Sequence, residues 1–395
     1  SEEQFMEGAR SWLDNLTLKV AYGVQGNDNL GTYYAWQGLY DFTWANASDA
    51  GAFVDRLEND SITWEKNGNL NTGIEASLFN GRLNVSIEYY NRKTDDMLLR
   101  SPLPISTGFT GFDDNTGSMR NQGLETALRG TIFDKPNFRW DATVMGSFNR
   151  NKVLSLTNGQ NTISSGIRVI EVGQPISTVF VSKVAGVDPA TGKQLYYAYW
   201  TQTINDEGAR VNTRCDEYIT DDVAMATLSK YYKGSREPKL YGSIGSSFTI
   251  YKNIDFSFLT TYSIGGWVYD SLYNGSMYVQ YAGNNWHKNA KRRWQQPGDQ
   301  TDIPMLEVGG AYAAADNSLI NASYFAIKNI TIGYTLPKRW LSKIDIESLR
   351  IYATLDNIAM FSHMDGMDPQ YNFSGSVAYS YTPSRVIAFG LDLNF

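Results

Sequence analysis

The sequence predicts an all-β, antiparallel transmembrane β-barrel. Three observations predict it: period-two alternation along the whole chain, an alternating final strand that ends on an aromatic, and connections of two distinct lengths. Successive side chains of a strand point to opposite faces. Ile387, Phe389, Leu391, Leu393 and Phe395 therefore share one face, and Ala388, Gly390, Asp392 and Asn394 share the other. A soluble sandwich strand alternates in the same way. Repetition of the pattern, closed by a terminal Phe395, selects the barrel.

The elements follow in chain order. Leu16, Leu18, Val20, Tyr22 and Val24 alternate with Thr17, Lys19, Ala21, Gly23 and Gln25. Leu83, Val85, Ile87 and Tyr89 alternate with Asn84, Ser86, Glu88 and Tyr90, and Phe138, Trp140, Ala142, Val144, Gly146 and Phe148 form the next row. Ile254, Phe256 and Phe258 oppose Asp255 and Ser257. Ile330, Ile332, Tyr334 and Leu336 oppose Thr331, Gly333 and Thr335, and Leu349, Ile351, Ala353 and Leu355 oppose Arg350, Tyr352, Thr354 and Asp356. Lys19, Glu88, Arg129 and Asp392 sit on the non-apolar face, where a watery lumen accepts charge and lipid does not.

Short connections carry turn chemistry at Asn80-Gly81, Asp134–Asn137 and Lys252-Asn253. Polar, aromatic stretches at 26–66, 204–238, 267–321 and 362–383 are long. Outer-membrane barrels show this asymmetry, with short periplasmic turns and long extracellular loops. Counted back from the C-terminus, with GVDPATG (186–192) as one turn, short and long alternate and delimit about 12 strands. Residues 286–294 are expected to form a short helix inside a loop.

Composition narrows the function classes. With 26 Tyr and 35 Gly among 395 residues, the chain suits strands, interfacial girdles and turns. A mean hydropathy of −0.36 does not argue against a barrel, because only every second strand residue needs to be apolar. The net charge of −7 and the lack of a basic stripe exclude nucleic acid as an expected partner. Cys215 is the one cysteine, so neither an intrachain disulfide nor a thiolate metal cage is available. The first twelve residues do not read as a signal peptide, and the expectation is that the 395 residues are the C-terminal part of a longer chain.

No catalytic, metal or cofactor site emerges. Asp113-Asp114-Asn115 matches only the first positions of a calcium loop and reads as solvated loop. Gly23-x-x-Gly26 and Gly108-x-x-Gly111 do not lead from strand to helix and read as turn glycines. Glu88 and Glu125 read as lumen charges, and His287 as a loop residue. The loop aromatics carry more. Tyr196, Tyr197, Tyr199 and Trp200 crowd one strand end, and Tyr278, Tyr281 and Trp286 belong to the next long loop. Girdle and loop packing account for such residues. The functional alternative is a platform on which sugar rings stack, with Asn284, Asn285 and Asp299 bonding hydroxyls; its candidate residues are Tyr197, Trp200, Tyr278, Tyr281 and Trp286.

Longer motifs carry a family resemblance. NASYFAIKNITIGYTLPKRWL (321–341), LRIYATLDNIAMFSHMDGMDPQYN (349–372) and the closing YTPSRVIAFGLDLNF resemble the C-terminal barrel of SusC-like (SusC/RagA family) TonB-dependent outer-membrane transporters of Bacteroidetes. WEKNGNLNTGIEASLFNGRLNVSIEYYNRKTDDMLL (64–99), NTGSMRNQGLETAL (115–128), VGQPI (172–176), GVDPATG (186–192) and RRWQQPGDQTDIP (292–304) fit the same family. The resemblance implies that residues 1–395 are the C-terminal part of a plugged, 22-stranded type of barrel, with the plug domain and N-terminal strands absent. It also implies energy-coupled import of an oligosaccharide or peptide across the cell outer membrane. The implied partners are a SusD-like lipoprotein, the TonB complex through the missing N-terminal part, the barrel-assembly machinery and the lipid bilayer. Phe389, Leu391, Leu393 and Phe395 are the expected assembly signal. No cofactor is implied. Two rival readings are a complete small passive barrel channel and a soluble secreted glycan-binding β module.

Overall fold

The computed structural model describes residues 3–31, 33–43, 45–46, 49–156, 161–278, 283, 285–307, 312–342, 346–363, 368–371 and 382–395. Ten long strands dominate it: β1 (Leu13–Asn27), β2 (Glu65–Leu78), β3 (Leu83–Asp95), β4 (Ser118–Lys135), β5 (Phe138–Ser155), β6 (Leu240–Ile250), β7 (Ile254–Ile264), β8 (Tyr324–Thr335), β9 (Ser348–Ser362) and β10 (Val386–Asn394). They join one sheet in chain order, β1 at one end and β10 at the other. Contacts divide the chain into two units, residues 1–132, 141–163 and 170–176, and residues 133–140, 164–169 and 177–395.

Register keeps the apolar rows together. Leu18 faces Ile74, which faces Ile87, which faces Thr126. In the second unit Phe256 faces Ile332, which faces Ala353, which faces Phe389. A slip of one residue anywhere would turn a whole row to the other face. These rows are open: Val20 is 77 % and Phe389 82 % exposed. Such apolar area on a folded sheet is what a lipid-facing wall presents. At the short-turn end of the second unit the rings of Phe133, Trp140, Phe248, Phe256 and Phe258 follow one another at 5.6–6.3 Å, as in an interfacial girdle. The Trp140 indole N–H donates to Ser246 Oγ at 2.6 Å.

The opposite face is a polar ladder. In the first unit Lys19 meets Glu75 at 2.5 Å, Thr131 donates to Asp141 at 2.6 Å, and Asn151 donates to Asn121 at 2.8 Å. In the second, Arg350 makes a two-pronged contact with Asp255 (2.9 and 2.6 Å) and a third with Asp392 (2.9 Å). Fork geometry makes that the stronger interaction. Exposed pairs such as Lys19–Glu75 contribute at most about 1 kcal/mol each.

Glycines let large polar rings lie flat on this face. Tyr90 crosses Gly123 to donate to Asn149 at 2.8 Å, and a Cβ on Gly123 would stand 2.3 Å from the Phe148 carbonyl oxygen and 2.5 Å from Tyr90 Oη. Gly390 similarly lies under the Tyr352 ring.

Among the described residues the sheet has ten strands, not about 12. The surplus segments flank GVDPATG. Thr178–Val181 pairs with Tyr231–Ser235, while Lys183–Val187, Gln194–Ile204 and Arg210–Thr220 form their own three-stranded sheet. Period two reports a strand with unlike faces, not what covers the apolar one. Here Tyr196 and Ala198 are buried by loop structure. The misassigned pair is a hairpin, so parity survived, and residues 156–239 form one long connection. The 3₁₀ helix Lys288–Arg292 stands where a short loop helix was expected.

Gly123→Ala in the full-length barrel should lower stability by about 1–3 kcal/mol, the usual range for overpacking. Gly245→Ala, whose nearest neighbours would be 3.7 Å away, should change it little. Urea unfolding of the detergent-extracted protein measures both.

Candidate functional site

The long connection between β1 and β2 builds a cleft of about 670 Å³. Asp28, Asn29, Tyr33, Trp36, Asp60 and Trp64 are the lining residues that carry chemistry. Its frame is fixed from below. Asn27 donates to Glu65 at 2.7 Å, and the other Glu65 oxygen accepts the Leu98 N–H at 2.9 Å. The Asn27 and Asn29 side chains accept the N–H groups of Asn29 and Gly31, two short turns that end with Gly31 at φ 73°. The Trp64 ring packs on Gly26, where a Cβ would come within 2.5 Å of it.

Two amides tie this loop to the next. Asn59 donates to the Asp113 carbonyl at 2.9 Å, and its own N–H donates to the Trp36 carbonyl at 3.0 Å. Asn115 accepts the Thr63 N–H at 2.6 Å and donates to the Thr63 and Asp96 carbonyls. The Asp113–Asn115 segment is therefore a strut. Among the described residues no group of three or more His, Cys, Asp or Glu is placed to hold a metal ion.

The aromatics singled out in the sequence lie in the second unit. Tyr278 packs against Tyr312 with centroids 4.8 Å apart and accepts from Asn317 Nδ2 at 2.5 Å. It borders the buried cluster of Met277, Ala290 and Ile303. Tyr197 has the Lys183 ammonium 4.2 Å above its ring. Trp200 is half-buried opposite Arg214, and Trp286 is exposed. Tyr281 and Asn284 lie outside the described residues. Asp299 accepts the N–H groups of Gln295 and Gln296 and so closes its own turn. His287 accepts the Asn289 N–H through Nδ1 at the start of the 3₁₀ helix. Among the described residues, no contact joins Tyr197, Trp200, Tyr278 and Trp286 to one another.

Much of this unit's aromatic content is loop core. Tyr196, 1 % exposed, packs with Ala226, Ala313 and Ala315, and its oxygen accepts the Ala313 N–H at 3.2 Å. The helix Val223–Leu228 brings Ala226 there, capped by the Asp222 carboxylate on the N–H groups of Ala224 and Met225. Trp294 lies over Gly192 and donates to the Pro189 carbonyl at 2.9 Å, so GVDPATG and RRWQQPGDQTDIP dock on each other. Burial pushes the Tyr196 phenol up to about 12, and burial together with neighbouring tyrosines pushes Tyr278 up as well.

A ten-stranded antiparallel sheet with one apolar and one polar face is what the wall of a membrane barrel presents. The comparisons place it in a family. The model of the TonB dependent receptor-like β-barrel matches residues 8–358, and the chain belongs to that family. It is 28% identical to the TonB-dependent receptor SusC of Bacteroides thetaiotaomicron, over 100% of this chain and 39% of that protein. It is 26% identical to the TonB-dependent receptor P39 of Formosa agariphila, over 100% of this chain and 42% of that one. Among solved structures, the RagAB peptide transporter superposes with a TM-score of 0.80 at 26% identity, covering 98% of this chain and 41% of its own. The chain thus spans about two-fifths of the relatives it matches and corresponds to their C-terminal barrel portion.

Because the folded loop holds the Tyr196 proton beyond the usual tyrosine value of about 10, its packing is fully stabilising below about pH 10 and is lost as pH rises through about 12. Phenolate absorbance of the full-length protein should show a late-ionising class. Tyr196→Phe should remove one phenol from that class and none from the early one.

Proposed function

We propose that the chain is the C-terminal wall and loop region of an energy-coupled outer-membrane importer of nutrients, with an oligosaccharide as the first substrate class. The observation that carries the reading is the open ten-stranded sheet of this family, with lipid-like and watery faces on opposite sides. Edges such as those of β1 and β10 cannot be left bare in lipid, since each unpaired amide there costs several kcal/mol. Closure to the 22-stranded type requires about a dozen more strands, most simply from the same polypeptide, which also brings the plug and the TonB-contacting segment. A SusD-like lipoprotein over the long-loop end is the proposed surface partner. Cleft aromatics beside carboxylates support a saccharide, with Tyr197, Trp200, Tyr278, Tyr281 and Trp286 retained as further proposed contacts. The resemblance to RagAB, described as a peptide transporter, favours peptides as the second reading.

Cells carrying the full-length transporter and its lipoprotein should accumulate labelled oligosaccharide, and collapse of the proton-motive force should abolish accumulation. Uncoupler-insensitive entry would point to the small passive channel. Release of the protein without detergent would point to the soluble module. Uptake of peptides but not saccharides would transfer the assignment to the second reading.

Phe389, Leu391 and Leu393 pair through β10 with β9, Phe395 follows the strand's last residue, and all four side chains stay exposed. We propose them as the assembly signal. Phe395→Ala should then lower the amount of barrel in the outer membrane severalfold while leaving the unfolding midpoint of the assembled fraction unchanged. Immunoblotting of membrane fractions beside urea unfolding separates the two effects.

A further inference from the structure

We infer that the cleft between β1 and β2 is a saccharide-binding subsite, a site that none of the loop aromatics read from the sequence includes. The inference rests on the importer reading and deepens it. Its starting point is a difference between two sets of loop aromatics. Among the described residues of the second unit the polar heads of four loop aromatics are engaged in the fold, those of Tyr197, Trp200 and Trp286 not: Tyr231 donates to Asp316 at 2.7 Å, Tyr312 to the Met305 carbonyl at 3.1 Å, Trp294 to the Pro189 carbonyl, and Tyr199 to the Lys230 carbonyl. In the cleft they are not. Neither the Tyr33 hydroxyl, nor the Trp36 and Trp64 indole N–H groups, nor the Asp28 and Asp60 carboxylates has a partner among the described residues. Asn29 uses its oxygen for the Gly31 turn and leaves its amide N–H₂ unengaged.

The rings are open as well: Tyr33 is 96 %, Trp36 48 % and Trp64 62 % exposed. Exposed aromatics alone would fit a protein partner equally well. The cleft differs in being concave, within the roughly 300–1,000 Å³ of small-molecule sites, and in pairing flat apolar faces with two carboxylates and an amide. A sugar ring has that divided chemistry. Its C–H face packs on an aromatic ring, while its hydroxyls donate to carboxylates and accept from N–H groups. The two carboxylates disfavour anionic ligands, so the class is a neutral oligosaccharide. The struts through Asn59, Asn115 and Glu65 hold the frame in place before a ligand arrives, which cuts the ordering cost of binding.

The test uses the full-length transporter in detergent, with neutral hexasaccharides as probes: maltohexaose, cellohexaose, laminarihexaose, xylohexaose and mannohexaose. Calorimetry gives Kd, and a pooled tryptic peptide digest is the comparison ligand. With the saccharide that binds, Trp36→Ala and Asp60→Asn should each weaken binding about tenfold or more, the equivalent of one good contact. Ile105→Ala, an exposed apolar residue outside the cleft, should stay within about twofold. Tyr33→Phe removes only the hydroxyl and should weaken binding by less than Tyr33→Ala. Unchanged urea midpoints certify that the variants fold. Saccharide bound equally by wild type and cleft variants would overturn the subsite and leave the importer reading standing. Loss of lipoprotein co-purification in the variants, with saccharide affinity intact, would overturn it in favour of a protein contact. Binding of the peptide digest with no saccharide bound would overturn the substrate class itself.

Discussion

A strand in lipid can send its amides only to the strands beside it, and the rest of this chain follows from that constraint. Closed β-ladders and helices are the two backbones that meet it, and ten consecutive strands paired in chain order are a stretch of the former. Neighbour pairing forces every connection to join adjacent strands, so turns can shrink to Asn80-Gly81, both at positive φ, or to Tyr251-Lys252. The other end has no such limit. That freedom lets the longer connections fold, the described residues of 156–239 and 265–323 sharing one buried cluster and the latter holding a second.

The inner face answers a second requirement, to carry charge without collapsing into a closed core. Arg350 spans Asp255 and Asp392 across Gly333, where a Cβ would meet the Asp255 carboxylate at 2.5 Å. Tyr90 reaches Asn149 only because Gly123 leaves a flat place to lie. In each case a residue without a side chain makes room for one whose polar end reaches across it to the strand beyond. The ladder therefore links strands that the backbone does not pair.

Most of the wall was legible because its physics is periodic. The rows through Leu18, Ile87, Ile332 and Phe389 follow from alternation and recur in register. The same signal failed at Gln194–Ile204, where Tyr196 and Ala198 alternate as a wall strand does but are buried, Tyr196 against Ala226, Ala313 and Ala315. Covering is a tertiary fact, invisible to a local pattern. The helices Val223–Leu228 and Ser271–Met277 span fewer than two turns each, too short to impose a helical period. The Asp222 and Asp270 caps were readable signals.

The loop aromatics divide along a similar line. Crowding in sequence drew attention to Tyr197, Trp200, Tyr278, Tyr281 and Trp286, yet crowding is what a loop core also needs. Tyr278 shows the outcome: a ring against Tyr312, an oxygen bonded to Asn317 and a proton held up by burial. A ring that binds a ligand must keep a face and a polar edge unused by the fold, and something else must hold it still. In the 28–64 loop those tasks fall to different residues. Asn59, Asn115 and Glu65 do the holding, through bonds to carbonyls and N–H groups, while Tyr33, Trp36 and Trp64 stay open. That separation of scaffold from contact surface is a stronger mark of a binding site than any count of aromatic residues.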